Sequence, residues 1–428
     1  MRKLSLVLTL LLVLCIGGVA TAQETQQFCG NLSQEDCDLY YGASTNFPSS
    51  AGFDATVTLS LTNLPDMPQD TTININLSGE YTGLSPELMG TEMMSMNMTD
   101  LSNIDFAALF TQLAGGLRNF DGALRINVTI PPELAGGATG MVPGAGAFDG
   151  NLALELRLVD GFGYINFDTL QALVGESGLT GWGGIDLAGA LDQVIASGAL
   201  EQLNTDMALQ ASGIDPTLLQ TFTDPQFIGQ FTTLERLEDQ DGAAVFQTNI
   251  DFAGLFADPA FQDYLRSTIE AQGEAVDDAQ FQQITDALNS AAAGATLIQT
   301  TRVDPATGYL QYSDFTFTFD ASILLTTMGT TADMSGMNMG EATAEAGAAE
   351  ATADAQTQQL LENPPVITVT GAINYRDVDA VAEITSPEGA QIVPLEALFG
   401  GMMGQGGMGG TDANTTPQAP EATATPAG

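Results

Sequence analysis

The sequence predicts an α+β protein in which helices gather on one side of a long antiparallel sheet. Three observations carry that expectation. Extended segments alternate apolar and polar residues with period two, turn sequences of the Asp-Gly kind separate them, and one phrase recurs in which a strand runs into an aspartate and then a helical apolar pattern. Side chains on a strand point alternately to opposite faces, so this alternation means one covered face and one solvated face, the habit of antiparallel sheets.

The chain opens as a secretory signal. Met1-Arg2-Lys3 is a positive start, Leu4 to Val19 is apolar, and Ala20-Thr21-Ala22 fits a small-residue cleavage site, so residues 1–22 are expected to be removed after Ala22. The other reading of this run is an uncleaved anchor, for which it is slightly short. Cys15 lacks the small preceding residue of a lipoprotein site and reads as part of the apolar core of the signal. The protein is therefore expected to be exported, extracellular or associated with a cell envelope. Residues 23–52 carry Cys29 and Cys37, whose close spacing in an oxidising compartment points to a local disulfide.

The main α+β domain is expected over 53–325. Phe53, Ala55, Val57, Leu59 and Leu61 alternate with polar residues, as do Ile73, Ile75 and Leu77, then Leu124 to Val128 and Leu152 to Leu158. Asp160-Gly161, Asp239 to Gly242 and Asp304 to Gly308 each stand between two such segments and predict hairpin turns. In the strand Tyr309–Phe319 the parity changes between Leu310/Tyr312 and Phe315/Phe317/Phe319, and a bulge near Ser313-Asp314 would bring all of them to one face. The recurring phrase reads Asn103-Ile104-Asp105-Phe106, Gly184-Ile185-Asp186-Leu187 and Asn249-Ile250-Asp251-Phe252, which predicts Asp105, Asp186 and Asp251 as helix N-caps. Helices are expected over 105–117, 186–203, 252–271 and 276–293, with 205–230 mainly helical. A low-complexity insertion at 326–364 is rich in Met, Ala and Glu. Two last strands are expected within 365–385, in a segment 365–400 that completes the sheet, and a Gly/Met and Thr/Pro/Ala tail at 401–428 is expected to be disordered.

Composition narrows the function classes. The chain has 428 residues, 9 Lys+Arg against 53 Asp+Glu, no histidine and a formal net charge of −44. Nucleic-acid binding depends on cationic side chains displacing counterions, so no nucleic-acid partner is expected. Imidazole acid–base chemistry is excluded outright, and the single lysine, Lys3, lies in the signal. No carboxylate pair stands out for glycoside hydrolysis, and Ser177 in Gly-Glu-Ser-Gly is not a nucleophile elbow, so the protein is not expected to be an enzyme or to carry a cofactor. Asp239-Gln240-Asp241-Gly242 lacks the later ligands of a calcium loop and reads as a turn.

Three phrases in the middle of the chain carry a family resemblance. They are Val159 to Asn166, Gly181 to Asp186 before a helix, and the strand-turn-strand stretch Arg302 to Leu310. On these the chain resembles the lipoprotein-carrier-like proteins of bacterial envelopes, of the LolA/LolB and mycobacterial LppX/LprG types, over roughly 50–325 and the strands after 365. The resemblance implies a curved antiparallel sheet, a half-barrel, with helices packed on its concave face and a lipid or acyl chain held between. The chain departs from the mycobacterial pattern in having no lipobox cysteine.

Three functional readings follow. The first is a non-catalytic carrier of a hydrophobic ligand, with Leu156, Leu158, Ile165, Phe167, Phe315, Phe317 and Phe319 lining the cavity. The second is copper(I) binding by methionine. Twelve of the 16 methionines fall in three clusters, and Met93, Met96 and Met98 with Met334, Met337 and Met339 have spacings that let one loop supply several soft thioether ligands. The third is a structural or interaction module in which the same apolar residues simply form a packed core. No transmembrane segment is expected after signal cleavage, and neither the ligand nor the oligomeric state is encoded in any motif.

Overall fold

A computed structural model describes residues 28–63, 70–85, 106–131, 150–170, 180–198, 225–271, 277–320, 363 and 365–393. In chain order these form α1 (Gln34–Ala43), β1 (Ala51–Thr62), β2 (Thr71–Thr82), α2 (Phe106–Asn119), β3 (Asp121–Thr129), β4 (Asn151–Val159) and β5 (Phe162–Asn166). A 3-10 turn (Phe167–Leu170), β6 (Trp182–Asp186), α3 (Leu187–Ala196), α4 (Pro225–Gly229), β7 (Thr232–Arg236) and β8 (Ala244–Ile250) follow. The series ends with α5 (Phe252–Ala257), α6 (Pro259–Ala271), α7 (Asp278–Ala292), β9 (Thr296–Val303), β10 (Leu310–Asp320), β11 (Val366–Arg376) and β12 (Gln391–Ile392). The strands build one large open sheet in the order β12-β6-β5-β4-β3-β2-β1-β11-β10-β9-β8-β7. Every neighbouring pair is antiparallel except β12 with β6.

Register turns the alternation of the sequence into a continuous apolar face. Leu154 pairs with Ile126, Ile126 with Leu77, Leu77 with Ala55 and Ala55 with Ile373. Two rows on, Ile73, Leu59, Val369, Phe317, Leu297 and Ile250 run across the sheet from β2 to β8. The other face is rich in threonine, asparagine and serine, as in the row Asn74, Thr58, Thr370, Thr316. Near β5 that second face is covered by the stretch after β11, where Ile384, Val381 and Ala390 pack on Val159, Tyr164, Phe162 and Trp182.

The helices that touch the sheet do so on the apolar face. Phe252, Leu255 and Phe256 of α5, Phe261 of α6 and Ala292 of α7 form a buried cluster with Leu297, Phe317 and Phe319. Ala43 of α1 joins Ala244, Phe246 and Val303 in a second, and the Tyr40 hydroxyl shares a 3.1 Å hydrogen bond with that of Thr248. At the other end, Leu187 of α3 lies against Gly163, and Arg118 of α2 pairs with Asp192 of α3.

Local chemistry explains the element ends. Asp186 and Asp251 accept hydrogen bonds from the backbone N–H of Gly189 (2.7 Å) and Gly254 (2.9 Å), as expected of N-caps. At α7, Asp277 accepts from Gln280 N at 2.8 Å while the Gln280 side chain reaches back to Asp277 N at 3.3 Å, a reciprocal cap. Asp160-Gly161 and Asp241-Gly242 have φ of 54° and 82°, and 53° and 86°, the paired left-handed conformation that a two-residue hairpin turn demands. Cys29 and Cys37 form a disulfide with Cα atoms 5.4 Å apart, tying the segment before α1 to the helix itself.

Three expectations need correction. The helix foreseen over 252–271 is two helices, because Pro259 disfavours helical backbone at Asp258, which is extended at φ −66°, ψ 130°. The bulge lies between Leu310 and Tyr312, earlier than Ser313-Asp314. It leaves Leu310 on the face of Phe315, Phe317 and Phe319 but turns Tyr312 to the other face, where the Arg302 guanidinium sits 4.7 Å from the ring centroid. Residues 365–385 yield one strand, β11, which enters the middle of the sheet between β1 and β10. Asp377 and Asp379, both at positive φ, turn the chain away after it. The signal segment, Asp105, Ser177, residues 199–224, the three methionine clusters including Met93, Met96, Met98, Met334, Met337 and Met339, and the tail lie outside the described residues.

Candidate functional site

The apolar face is buried unevenly, and the uneven part is the candidate site. Over β8, β9 and β10, Phe246, Leu297, Val303, Phe317 and Phe319 are buried. Over β1–β5, Val57, Leu59, Ile75, Leu77, Leu124, Ile126, Leu152, Leu154, Leu156, Leu158 and Ile165 are all only part-buried. Among the described residues, none of these joins a buried cluster. Burying aliphatic side chains contributes about 25 cal/mol per Å² removed from water, so a broad part-covered aliphatic surface is an unused source of binding free energy.

Glycines on this face give the surface its relief. The Phe53 ring lies across Gly79, Phe120 across Gly122, Phe167 across Gly183 and Phe315 across Gly371, each so close that a Cβ at the glycine would meet the ring at 3.0 Å or less. The face is thus a floor of aliphatic rows edged by aromatic rings.

One end of the floor is polar. Tyr81, at the end of β2, has the parity of Leu77 and Gly79 and pairs with Ala51 and Gly122, both too small to fill the row. Its ring stacks on Phe120 with centroids 6.2 Å apart. The side chain is 8% exposed, and its hydroxyl has no hydrogen-bond partner among the described residues. Burial pushes its pKa well above the ordinary tyrosine value, with Tyr375, Asp379 and Tyr309 near enough to push the same way. Tyr375, on β11 opposite Phe53, is raised by burial as well. Such groups remain neutral O–H donors throughout the physiological pH range.

The seven residues expected to line a cavity fall in two places. Leu156 pairs with Ile165, Leu158 stands one row along, and Phe167 covers Gly183, all at the β4–β6 end. Phe315, Phe317 and Phe319 lie on β10, five strands from β4 and roughly 24 Å along the sheet at the usual inter-strand spacing. Phe317 and Phe319 are 6% and 3% exposed, with Phe252 edge-on to Phe317 at 5.7 Å, so these two are packed core. Phe315 is part-buried and overlies Gly371. The sequence pattern puts Tyr375 on one face with Ile367, Val369 and Ile373, as the register shows, whereas for Tyr81 the only signal is an aromatic hydroxyl closing the alternation in Leu77-Ser78-Gly79-Glu80-Tyr81.

Among the described residues, no cluster of three or more His, Cys, Asp or Glu is placed to hold a metal ion, and no helix is long and apolar enough to cross a membrane. The chain matches no protein-family model, no curated protein and no solved structure.

Proposed function

We propose that this is an exported, non-catalytic binding protein that holds a hydrophobic ligand, a lipid or acyl chain, on the aliphatic floor of β1–β5. In this reading the open sheet curves as a half-barrel around its helices, the arrangement implied by the resemblance to LolA-type and LppX-type envelope proteins. The ligand lies between sheet and helices, with Leu156, Leu158, Ile165 and Phe167 on one flank and Phe315 on the other. The observation that carries the proposal is the contrast on one continuous face, sealed by α1 and α5–α7 over β8–β10 but only part-covered over β1–β5. A surface of that kind suits an apolar ligand because it asks for no motif beyond shape and hydrocarbon.

Native mass spectrometry of the protein purified from its own cells without detergent tests this. The expected result is a bound mass of several hundred daltons that organic solvent releases as an acyl-containing species. A bare chain that also fails to take up a fluorescent long-chain alkyl probe added in vitro defeats the proposal.

A further inference from the structure

We infer that the loop closed by the Cys29–Cys37 disulfide guards the outer edge of β7, and that opening the disulfide lets this edge pair with the β7 edge of a second copy of the chain. The inference stands apart from the hydrophobic-ligand reading, because it concerns the strand edge at the sealed side of the sheet.

β7 is the last strand of the sheet and is bonded to β8 on one side. The ladder fixes which of its backbone groups face away. The Asp251 N–H donates to the Phe231 carbonyl at 2.7 Å, and the Leu237 N–H donates to the Val245 carbonyl at 2.9 Å. Opposed residues of an antiparallel pair alternate between bonded and unbonded. With this register the odd-numbered residues of β7 bond to β8, and the N–H and C=O of Thr232, Leu234 and Arg236 point outward. Such a row of outward groups is a template for another strand.

The disulfide loop lies along that side. The Phe28 side chain lies across Gly229 at the end of α4. Gly30 comes so near Leu234 that a Cβ would stand 3.3 Å from the outward carbonyl oxygen, and its φ of 54° is one that glycine adopts freely. Asp36 accepts from Arg236 Nε at 3.2 Å. Contacts at Gly229, Leu234 and Arg236 thus follow the whole strand. The helix α1 is seated on the sheet through Tyr40 and Ala43, whereas residues 28–33 are tied back to it by the disulfide and by the Tyr41 hydroxyl, which donates to the Phe28 carbonyl at 2.7 Å.

Burial also decides how the latch opens. Cys37 is 0% exposed and Cys29 is part-exposed, so an external thiolate attacks at Cys29 Sγ. The Cys29–Cys37 S–S bond breaks, and Cys37 leaves as a thiolate and takes up a proton. A second external thiolate attacks the external sulfur of the mixed disulfide and releases Cys29, which is protonated in turn. Two external thiols are thereby oxidised to one disulfide while the protein disulfide is reduced to two thiols.

The strand itself favours a second copy as its partner. Two β7 edges paired antiparallel about a twofold axis at Leu234 set Leu234 of each copy opposite the other, Thr232 opposite Arg236 and Thr233 opposite Glu235. No like charges meet, and the apolar face continues through Leu234. Sliding one step, to set Leu234 opposite Arg236, would bring the two Glu235 carboxylates together.

Sedimentation equilibrium of the full-length protein tests this, on wild type, on Cys29→Ser/Cys37→Ala, and on that double variant with Thr232→Pro, which removes an outward N–H and no bond to β8. The expected result is a single-chain mass for oxidised wild type and a concentration-dependent doubling for the double variant, reversed by Thr232→Pro. Wild type treated with a dithiol should behave as the double variant, with its far-ultraviolet circular dichroism unchanged. A folded double variant that stays single up to ~100 μM, where any contact tighter than that Kd is at least half formed, overturns the inference. So does a dimer that survives Thr232→Pro, or a wild type equally dimeric before and after reduction. If the double variant does not fold, Gly30→Val decides. It keeps the disulfide but forces the loop off the Leu234 carbonyl, so doubling of its mass is expected and a single-chain mass overturns the guard.

Discussion

The β8–β10 side of the sheet and the β1–β5 side share one apolar face, built by the same alternation, yet they are finished differently. On the first side aromatic residues dominate: Phe252, Phe256, Phe261, Phe317 and Phe319 interlock, with Phe256 and Phe261 stacked at 4.9 Å. On the second the face is mainly leucine, isoleucine and valine, with single rings such as Phe53 laid over glycines and no aromatic helix face set down on it among the described residues. Large rings fix a helix in one position through their area and edge-to-face geometry. Short aliphatic chains make an even surface that an alkyl chain can occupy in more than one register. The difference teaches that one alternation pattern can yield a sealed core where helices bring rings to it and a part-covered surface where, among the described residues, they do not.

The sharpest way to break the comparison is to damage the sealed side. Phe246→Ala removes a fully buried ring that touches Tyr40 and lies under the Arg236 guanidinium, and it is expected to cost about 3–5 kcal/mol in denaturant unfolding. Opening the disulfide by Cys29→Ser should cost less, roughly 2–3 kcal/mol in the chain-entropy account, read as a lower melting temperature without loss of ligand. Asp251→Ala, which frees the Gly254 N–H at the start of α5, should cost about 1 kcal/mol. On the open side, Leu154→Ala is expected to cost no more than about 1 kcal/mol of stability, because the side chain is already part-exposed, while measurably weakening alkyl-probe binding. A loss at Leu154 as large as that at Phe246 would mean that the two sides are alike and both are core.

The smallest effect tests the opposite face. Burial raises the Asp314 pKa despite the lowering by Arg302 and by the hydrogen bond to Thr300. A carboxyl whose folded-state pKa lies above its unfolded one favours folding at low pH, and that contribution is lost as pH rises through the folded value. Asp314→Asn should therefore raise the melting temperature slightly at pH 7 and leave it unchanged at pH 3, where the wild-type group is protonated in both states.

Much of this was readable from the chain because alternation, Asp-Gly turns and capping aspartates are local signals. Asp186 and Asp251 cap as expected, and the three hairpins fall where their turns do. What escaped reading is what depends on partners distant in sequence. The central position of β11 follows from hydrogen bonds to β1 and β10, and nothing in Val366–Arg376 itself distinguishes a central from an edge strand. The rings over Gly79 and Gly371 become visible only once register is known. Nothing in the sequence around Tyr81 shows that its neighbours across the sheet are the small residues Ala51 and Gly122, which only the register brings beside it. The helix break at Asp258-Pro259 is legible in the proline alone, although the apolar pattern continues through it.

The insertion of β11 also bears on how the molecule comes to exist. Asp54 and Arg376, 322 positions apart, meet across the middle of the sheet, so among the described residues the first strand is paired on one side by the last long one. Until Val366–Arg376 has emerged, the two flanks of the sheet are separate pieces, each ending in a raw edge, β1 on one and β10 on the other. Such edges invite pairing with other chains, and contacts this remote in sequence form late. A chain truncated before Val366 should therefore accumulate as self-associating half-sheets, with β11 acting as the keystone that stops this.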